Sequence, residues 1–319
     1  MPSIHVVIVN WNSGAQLREC LSSFATITDD AVTLARVTVV DNASTDGSCE
    51  ELPDTLPLTL VRNDVNLGFA MACNQGAAGS TADFLLFLNP DTRLMAGSLE
   101  LPARYLQSPH HQAVGIVGIQ LVDEQGNVAR NAARNPTALS MVGASLGLDR
   151  VLPSVFPPHF VTDWAHDETR TVDQVMGAFF FVRRDAFEAL GGFDERFFVY
   201  FEDLDFSLRA RRQGFASVYL ASAQAFHRGQ GTTSGASERR TFYFARSKML
   251  FATKHFNAFA AGLVIAVTLT LEPLARAAQA LLTRRGSVSG IFRAFARLWG
   301  ELPNILRGRG KEDRFGGSD

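Results

Sequence analysis

The chain has 319 residues, of which 46% are hydrophobic and 19% charged, and its formal net charge is -2. This length accommodates one large α/β domain with an appendage, or two domains. The three cysteines (Cys20, Cys49 and Cys73) are odd in number and lack metal-ligand spacing. This argues against a cysteine metal centre and suits a reducing compartment. The chain enters a β-branched segment at once, without a basic leader, so we expect no signal peptide.

The charge is unevenly distributed along the sequence. From Arg239 onward, lysine and arginine far outnumber aspartate and glutamate, so the preceding part is acidic. The basic residues alternate with long apolar runs and do not form a polar groove. We therefore expect no nucleic-acid partner.

The first half of the chain alternates predicted strands with predicted helices. The strands are apolar, mostly β-branched runs at residues 5–9, 37–40, 58–61 and 84–88. One predicted helix follows the first strand, and another begins near Asn66 and continues to about Ala78. Strands separated by helices need crossover connections, which predicts an α/β fold with a mainly parallel sheet.

Polar residues follow the predicted strands at the end where such sheets bind ligands. Asn10, Asp41 and Asp91 all fall there, and these side chains suit a nucleotide diphosphate. Asp41 can accept a hydrogen bond from the ring N–H of a uracil or thymine. Alternatively, it caps the turn at residues 42–47, as Asx residues often do.

The second helix begins with Asn66-Leu67-Gly68. Small residues at its early positions allow backbone N–H groups to approach a pyrophosphate, whose charge a helix N-terminus favours. Asn-x-Gly is also a common turn, and both interpretations remain open at this point.

Asp91 lies in the strand-end sequence Asn89-Pro90-Asp91, where a carboxylate can bind Mg²⁺ that bridges to phosphate oxygens. Such a site needs a second ligand, and His227 is the candidate. It follows the predicted strand at residues 217–220 and opens the polar loop HRGQGTTS. Arg228, beside it, can contact the same diphosphate. The alternative for His227 is a structural role.

Adjacent carboxylates, Glu202 and Asp203, lie at the predicted start of a helix, directly behind an aromatic run. A carboxylate in such apolar surroundings can be tuned into a general base. The alternative is an ordinary helix cap by Asp203. Gly177 precedes another predicted buried strand, where small residues either floor a sugar site or permit close packing.

The sequence resembles the family 2 glycosyltransferases, most closely the bacterial rhamnosyltransferases of O-antigen and cell-wall linker synthesis. The resemblance covers about residues 4–235. It lies in the ordered segments VVIVNWNS, VVDNASTDGS, NLGFAMACNQG, FLLFLNPDT, MGAFFFVRRDAFEALGGFDERFFVYFEDLDFSLRARRQG and HRGQGTTS. It implies a GT-A fold, an inverting mechanism and a nucleotide-diphospho-sugar donor, commonly with Mg²⁺ or Mn²⁺.

The resemblance also implies roles for individual residues. By motif, Asp41 matches the residue that contacts the donor base, and Asp203 matches the catalytic base. Asp91 matches the carboxylate of the metal-binding Asp-x-Asp triplet, and His227 the late metal ligand. Asn89 replaces the first Asp of that triplet, which bears on the strength of metal binding and on the choice of metal.

Three more residues complete the predicted site: Asn74 on the donor side, with Glu202 and Gly177 on the acceptor or sugar side. The predicted activity is transfer of a sugar, rhamnose from dTDP-rhamnose, to a polyprenyl-diphosphate-linked saccharide in cell-envelope polysaccharide synthesis. The alternatives are a UDP-hexose donor and a catalytically silent module that binds nucleotide sugar or scaffolds an assembly.

Residues 236–307 are predicted to form a basic amphipathic helical region after a catalytic domain of residues 1–235. The apolar run at 258–271 is too short to span a bilayer, and Glu272-Pro273 is expected to end it. Arginine-flanked apolar faces predict peripheral binding to the cytoplasmic face of a bacterial inner membrane. The alternatives are a helical cap packed on the domain and a homodimer face. Residues 308–319 are predicted to be a disordered tail.

Overall fold

The structure, a computed structural model, describes residues 1–27, 31–229, 237–284 and 286–308. Within these ranges the strands are β1 (Ser3–Asn10), β2 (Thr33–Asp41), β3 (Leu58–Arg62), β4 (Phe84–Leu88), β5 (Thr92–Leu94), β6 (Val114–Val122), β7 (Ala132–Ala133), β8 (Arg170–Val172), β9 (Gln174–Val175), β10 (Phe179–Arg183) and β11 (Ala216–His227). The helices are α1 (Ala15–Ser23), α2 (Phe69–Ala77), α3 (Glu100–Gln107), α4 (Ala138–Leu146), α5 (Arg184–Ala189), α6 (Glu202–Arg212), α7 (Ser237–His255), α8 (Ala258–Thr283) and α9 (Val288–Leu306). The predicted α/β fold with a mainly parallel sheet is confirmed.

One sheet organises the molecule, in the order β3-β2-β1-β4-β10-β6-β11-β5, with β8 paired to β11. The pairs β1–β2, β1–β4, β2–β3 and β6–β11 are parallel, whereas β10 runs antiparallel to both β4 and β6. The ends of β1, β2 and β4 therefore lie at one edge of the sheet. The start of β10 lies at that edge too, because Phe179 pairs with Leu88.

The central strands are buried on both faces. In β1, Ile4, Val6 and Ile8 belong to one hydrophobic cluster, while Val7 and Val9 belong to another on the opposite face. This alternation follows from the period of two along a strand, and it explains why β1 reads as a continuous apolar run.

A third hydrophobic cluster joins the C-terminal helices to the segment before α6. Phe197, Phe198 and Leu204 pack in it with side chains of α4, α7, α8 and α9. The helices after residue 236 thus share a core with the segment that carries Glu202 and Asp203. The predicted tail falls beyond Gly308, outside the described residues.

The prediction that Glu272-Pro273 ends an apolar helix is wrong. Helix α8 continues through Pro273 for 26 residues, and by length and composition alone it is long enough to cross a membrane. A proline inside a helix costs about 3 kcal/mol. Packing offsets this cost, since Pro273 and Glu272 are both buried against neighbouring helices.

Candidate active site

The paired ends of β1 and β2 form the first part of the site. Asn10 and Asp41 are register partners, and the Asn10 Nδ2 atom lies 3.4 Å from Asp41 Oδ1. The same amide donates to Ser48 Oγ at 2.8 Å, and the Ser44 N–H donates to Asp41 Oδ1 at 3.1 Å. Asp41 therefore does cap the following turn. Among the described residues, no hydrogen bond reaches its second oxygen, Oδ2.

The start of α2 lies beside this pair, because Asn42 Nδ2 donates to the Gly68 carbonyl at 3.1 Å. Asn66 Oδ1 accepts from the Gly68 N–H at 2.9 Å, so the Asn-x-Gly segment is also a turn. The first N–H of the helix, that of Phe69, donates to the Phe198 carbonyl at 2.6 Å. A Cβ at Gly68 would lie 2.5 Å from that same carbonyl oxygen. The absence of a side chain at Gly68 thus admits the segment before α6.

Asn74 takes part in a different contact. Its Nδ2 donates to the Phe193 carbonyl at 2.8 Å and to Glu195 Oε1 at 3.0 Å, and its Oδ1 accepts from the Phe193 N–H at 2.9 Å. These bonds fix the 193–195 segment against α2. We therefore leave Asn74 out of the proposed donor site.

Asp91 and His227 come together although 135 residues separate them. After β4 the chain turns back into β5, which pairs with the end of β11 and places Thr92 opposite His227. His227 Nε2 lies 3.3 Å from Asp91 Oδ1, and both side chains are nearly buried. The Arg228 N–H donates to the Asp91 carbonyl at 3.1 Å, while the Arg228 side chain is exposed.

The structure corrects the local setting of His227. It is the last residue of a 12-residue strand, not part of a loop after a strand that ends at 220. The β6–β11 register shifts between Leu220 and Gln224, which carries the strand past the point where its apolar pattern stops. Residues 230–234 of the predicted loop fall outside the described residues.

The Asp91–His227 pair fits a divalent cation. A carboxylate oxygen and an imidazole nitrogen 3.3 Å apart can both reach one ion. Carboxylate oxygens are ligands of Mg²⁺ and Mn²⁺, and imidazole is a common ligand of divalent transition metals. In the described part of the chain, no group of three or more His, Cys, Asp or Glu side chains is arranged so that it could hold a metal ion. The remaining ligands would have to come from the diphosphate and water.

Asp203 lies on the other side of the same sheet edge. Its Oδ2 accepts from the Gly177 N–H at 2.9 Å, and its Oδ1 accepts from the Leu204 N–H at 2.8 Å. The carbonyl of Ala178, the residue after Gly177, accepts a hydrogen bond from the Asn89 N–H at 3.0 Å. Two adjacent peptide units thus connect Asp203 to the turn that carries Asp91.

The environment of Asp203 makes it more basic than an ordinary aspartate. Burial raises the pKa of its carboxyl, although the hydrogen bonds from Gly177 and Leu204 act in the opposite direction. A raised pKa combined with fixed orientation is the property that a general base needs.

Glu202 points away from this edge into the protein. It is 6% exposed, and its Oε2 atom is buried without a hydrogen-bond partner. Burial, together with the nearby charge of Asp203, raises the pKa of Glu202 well above its ordinary value. Burial and the proximity of Glu202 also raise the pKa of the Cys73 thiol in α2. The predicted contact of Glu202 with a substrate hydroxyl does not match this buried position.

Sequence reasoning missed the backbone of the two residues before Glu202. Tyr200 and Phe201 have φ values of 68° and 70°, in the left-handed region that bulky side chains rarely adopt. It also missed Ser247, whose hydroxyl donates to the Val199 carbonyl at 2.8 Å. Neither feature has a motif that the sequence alone displays.

A cavity of about 440 Å³ lies elsewhere, between β7, β8 and the start of β11. It is lined by Trp164, Arg134 and Arg170, among others, and by none of the carboxylates or the histidine of the predicted site. The predicted site residues therefore lie at the sheet edge and not in this cavity.

Comparison with known proteins identifies the family of this chain. The family model described as "Glycosyltransferase like family 2" matches residues 2–247. The chain is 30% identical over 239 residues to the N-acetylglucosaminyl-diphospho-decaprenol L-rhamnosyltransferase of Mycobacterium tuberculosis. That alignment covers 70% of this chain and 75% of the relative.

Solved structures give the same fold. The mannosyltransferase PcManGT from Pyrobaculum calidifontis, in complex with GDP-Man and Mn²⁺, has a TM-score of 0.52 and 20% identity, covering 96% of this chain and 85% of that chain. GalNAc-T7 with UDP, GalNAc and Mn²⁺ has a TM-score of 0.56 and 17% identity, covering 80% and 50%. The fold is GT-A. Because the family model matches most of the length of this chain, the chain belongs to glycosyltransferase family 2 and is a glycosyltransferase.

Proposed function

We propose that the protein is an inverting glycosyltransferase in which Asp203 is the general base. An acceptor hydroxyl gives its proton to Asp203 while its oxygen bonds to the anomeric carbon of the donor sugar. The bond from that carbon to the diphosphate breaks on the opposite face, and the electron pair leaves with the nucleotide diphosphate. The observation that carries the proposal is the Asp203 carboxylate, fixed by two backbone N–H groups and made more basic by burial.

Asp91, His227 and Arg228 are proposed to receive the leaving diphosphate. Asp91 and His227 would hold a divalent cation, which when bound neutralises the negative charge that develops on the departing nucleotide. The exposed Arg228 side chain, beside Asp91, can contact the same phosphate oxygens. The Mn²⁺ complexes of PcManGT and GalNAc-T7 support a cation of this kind in the fold.

The donor base is proposed to bind at the ends of β1 and β2. Asp41 Oδ1 is engaged by the following turn, which leaves Oδ2 to accept from the ring N–H of thymine or uracil. Asn10 holds the Asp41 side chain from the neighbouring strand. Asn66 and Gly68 lie at the start of α2, beside Asn42.

The proposal for the substrates is based on one of the relatives described above. The M. tuberculosis enzyme is named as a rhamnosyltransferase acting on a diphospho-decaprenol-linked N-acetylglucosamine. We propose dTDP-rhamnose as donor and a polyprenyl-diphosphate-linked saccharide as acceptor. A UDP-hexose is the alternative donor, because Asp41 would accept equally from uracil and thymine.

The C-terminal helices are proposed to bind a membrane surface. Residues 237–308 contain eleven lysines and arginines against three glutamates, while residues 1–236 contain sixteen against twenty-six acidic residues. Phe259 and Leu282 of α8 are 84% and 86% exposed. On α9, Phe292, Trp299 and Leu306 recur every seven residues and are all exposed. Such a face suits the boundary of an anionic bilayer.

We propose that α8 lies along the membrane instead of crossing it. Glu272, in the middle of α8, is 1% exposed and forms an ion pair with Lys248 of α7. Lys248 also donates to Ser145 Oγ of α4 at 2.7 Å. Moving α8 into lipid would break this pair and leave Lys248 buried without its counter-charge, which typically costs 3–5 kcal/mol. Glu272 would keep only Arg276 of its own helix as a charged partner. The proposed location is the cytoplasmic face of a bacterial inner membrane, where a lipid-linked acceptor is accessible.

A donor panel tests the proposed function. The purified protein would be incubated with a polyprenyl-diphosphate N-acetylglucosamine acceptor, Mn²⁺, and either dTDP-rhamnose or a UDP-hexose, with product mass as the readout. We expect the acceptor to gain one deoxyhexose from dTDP-rhamnose. A gain of one hexose from a UDP donor would establish the alternative donor. No transfer from any donor would contradict the proposed enzyme.

A further inference from the structure

We infer that Ser247 and Arg246 of α7 are positioning residues that hold the loop leading into Asp203 in its active conformation. The loop is defined here as residues 196–201, directly before α6, and we call it the base loop. The inference rests on the proposed function, since it concerns the proposed base.

The base loop stores backbone strain next to Asp203. Tyr200 and Phe201 both have φ values near 70°, a conformation that is strained for any L-residue with a side chain. Phe201 is the N-cap of α6 and makes no side-chain capping bond. Conformations of this kind persist only when surrounding groups impose them, and they cluster at active sites.

The groups that impose the conformation bind carbonyl oxygens of the base loop. The Arg196 carbonyl accepts from Arg246 Nη1 at 3.1 Å, and the Val199 carbonyl accepts from Ser247 Oγ at 2.8 Å. From the other side, the Phe198 carbonyl accepts from the first N–H of α2. The base loop is thus held between α2 and α7. Ser247 binds it at Val199, the residue directly before Tyr200 and Phe201.

Aromatic contacts with α7 add to these bonds. The Phe198 ring stacks on Tyr243 at a centroid distance of 4.5 Å, and Phe201 contacts Phe244 and Phe251 at 5.3 and 5.7 Å. These contacts bury the aromatic side chains of the base loop, but they do not fix the orientation of its peptide planes. The hydrogen bonds from Ser247 and Arg246 to the Val199 and Arg196 carbonyls fix that orientation.

Arg246 links the base loop to the helices proposed to bind the membrane. It is 0% exposed, and its Nε lies 3.7 Å from Glu301 Oε2 of α9. One side chain therefore connects α9 with the Arg196 carbonyl.

Removing the Ser247 hydroxyl leaves the Val199 carbonyl without its partner and lets the strained pair relax. Asp203 would then move relative to Gly177 and the donor. Because misplacement of a reacting group by about 1 Å can cost roughly 100-fold in rate, we expect Ser247→Ala to lower kcat by about 10-fold or more. The KM for the donor should stay within about 2-fold, because no proposed donor contact changes.

The test compares Ser247→Ala with Ser145→Ala, which loses a side-chain hydrogen bond of similar length to the neighbouring residue of α7, Lys248. Ser145 does not touch the base loop, so its variant controls for general loosening of the helices. Ser247→Thr keeps a hydroxyl and should restore kcat. Hydrogen exchange of the peptide spanning residues 199–206 gives a readout that does not require activity, and it should accelerate in Ser247→Ala only.

The outcomes separate the two proposals. If the wild type transfers sugar and Ser247→Ala matches Ser145→Ala in kcat, the positioning role is refuted while the function stands. If the wild type transfers no sugar, the proposed function fails, and exchange still decides the positioning role. Equal exchange of the 199–206 peptide in the two variants would overturn it.

Discussion

Gly68→Ala is the perturbation whose consequence the structure specifies most closely. Gly68 has φ 88° and ψ 169°, a combination that is essentially restricted to glycine. An added Cβ would lie 2.5 Å from the Phe198 carbonyl oxygen and 2.8 Å from the Phe198 ring. The first of these contacts is with backbone, so no side-chain rotation relieves it. The base loop has to move.

The magnitude follows from the conformation and from the overlap. Backbone strain at such a position costs about 1–3 kcal/mol, and overpacking typically adds about 1–3 kcal/mol. Gly79, just beyond the other end of α2, provides the matched control. Its φ is also positive, at 66°, but a Cβ there meets nothing within 4 Å. Gly79→Ala therefore carries a backbone cost of about 1 kcal/mol and no overlap.

The assay measures the melting temperature, kcat and donor KM of both variants. We expect Gly68→Ala to lose about 10-fold or more in kcat with little change in donor KM, because the displaced base loop leads directly into the start of α6, where Asp203 lies. Gly79→Ala should keep both constants. If Gly68→Ala instead raised donor KM at constant kcat, Gly68 would serve the diphosphate, as its sequence context suggested. Equal kcat in the two variants would refute the structural reasoning.

Three further predictions concern charge, metal and membrane. Burial raises the pKa of Glu202, so the wild type loses stability as pH rises above the ordinary value of 4.5. Glu202→Gln lacks this loss, and its gain in melting temperature should be larger at pH 8 than at pH 5; an equal gain at both would contradict the burial. Asp91→Ala should reduce the activation of transfer by Mn²⁺ and should weaken donor binding by roughly 10-fold or more. In the wild type, chelation of divalent cations should suppress transfer. Activity that survives exhaustive chelation would exclude a metal role. The double variant Phe259→Ser, Leu282→Ser should bind anionic vesicles about 10- to 100-fold more weakly than the wild type. High salt should release the wild-type protein from the vesicles. If only detergent released it, α8 would span the bilayer.

The sequence predicts the sheet edge well because its signals are local. Strand β1 is a buried run that stops at Asn10, and β2 stops at Asp41. A rule about parallel strands then suffices to bring the two ends together. Gly177 and Asp203 are also found next to each other, as their positions before β10 and at the start of α6 require.

What the sequence does not predict depends on distant packing. Asp91 and His227 are predicted as partners, but the path that joins them is not, because β5 turns back onto the end of β11 after a register shift that no local pattern marks. Helix α8 passes Pro273 because packing against other helices outweighs the proline penalty. Asn74 and Gly68 fit a donor site by motif. In the structure, however, Asn74 hydrogen-bonds the backbone of Phe193, and Gly68 packs closely against Phe198, so both contact segments before α6.

Asp203→Asn tests the central claim most directly. The amide keeps the shape of the side chain, but it cannot act as a base that takes the proton from the hydroxyl group of the acceptor substrate. The measurement is kcat for transfer from dTDP-rhamnose, together with the donor dissociation constant from calorimetry on the same preparation. We predict a loss of about 10²–10⁴-fold in kcat with donor affinity nearly unchanged. Near-normal turnover in Asp203→Asn would contradict the account and remove Asp203 from the role of base.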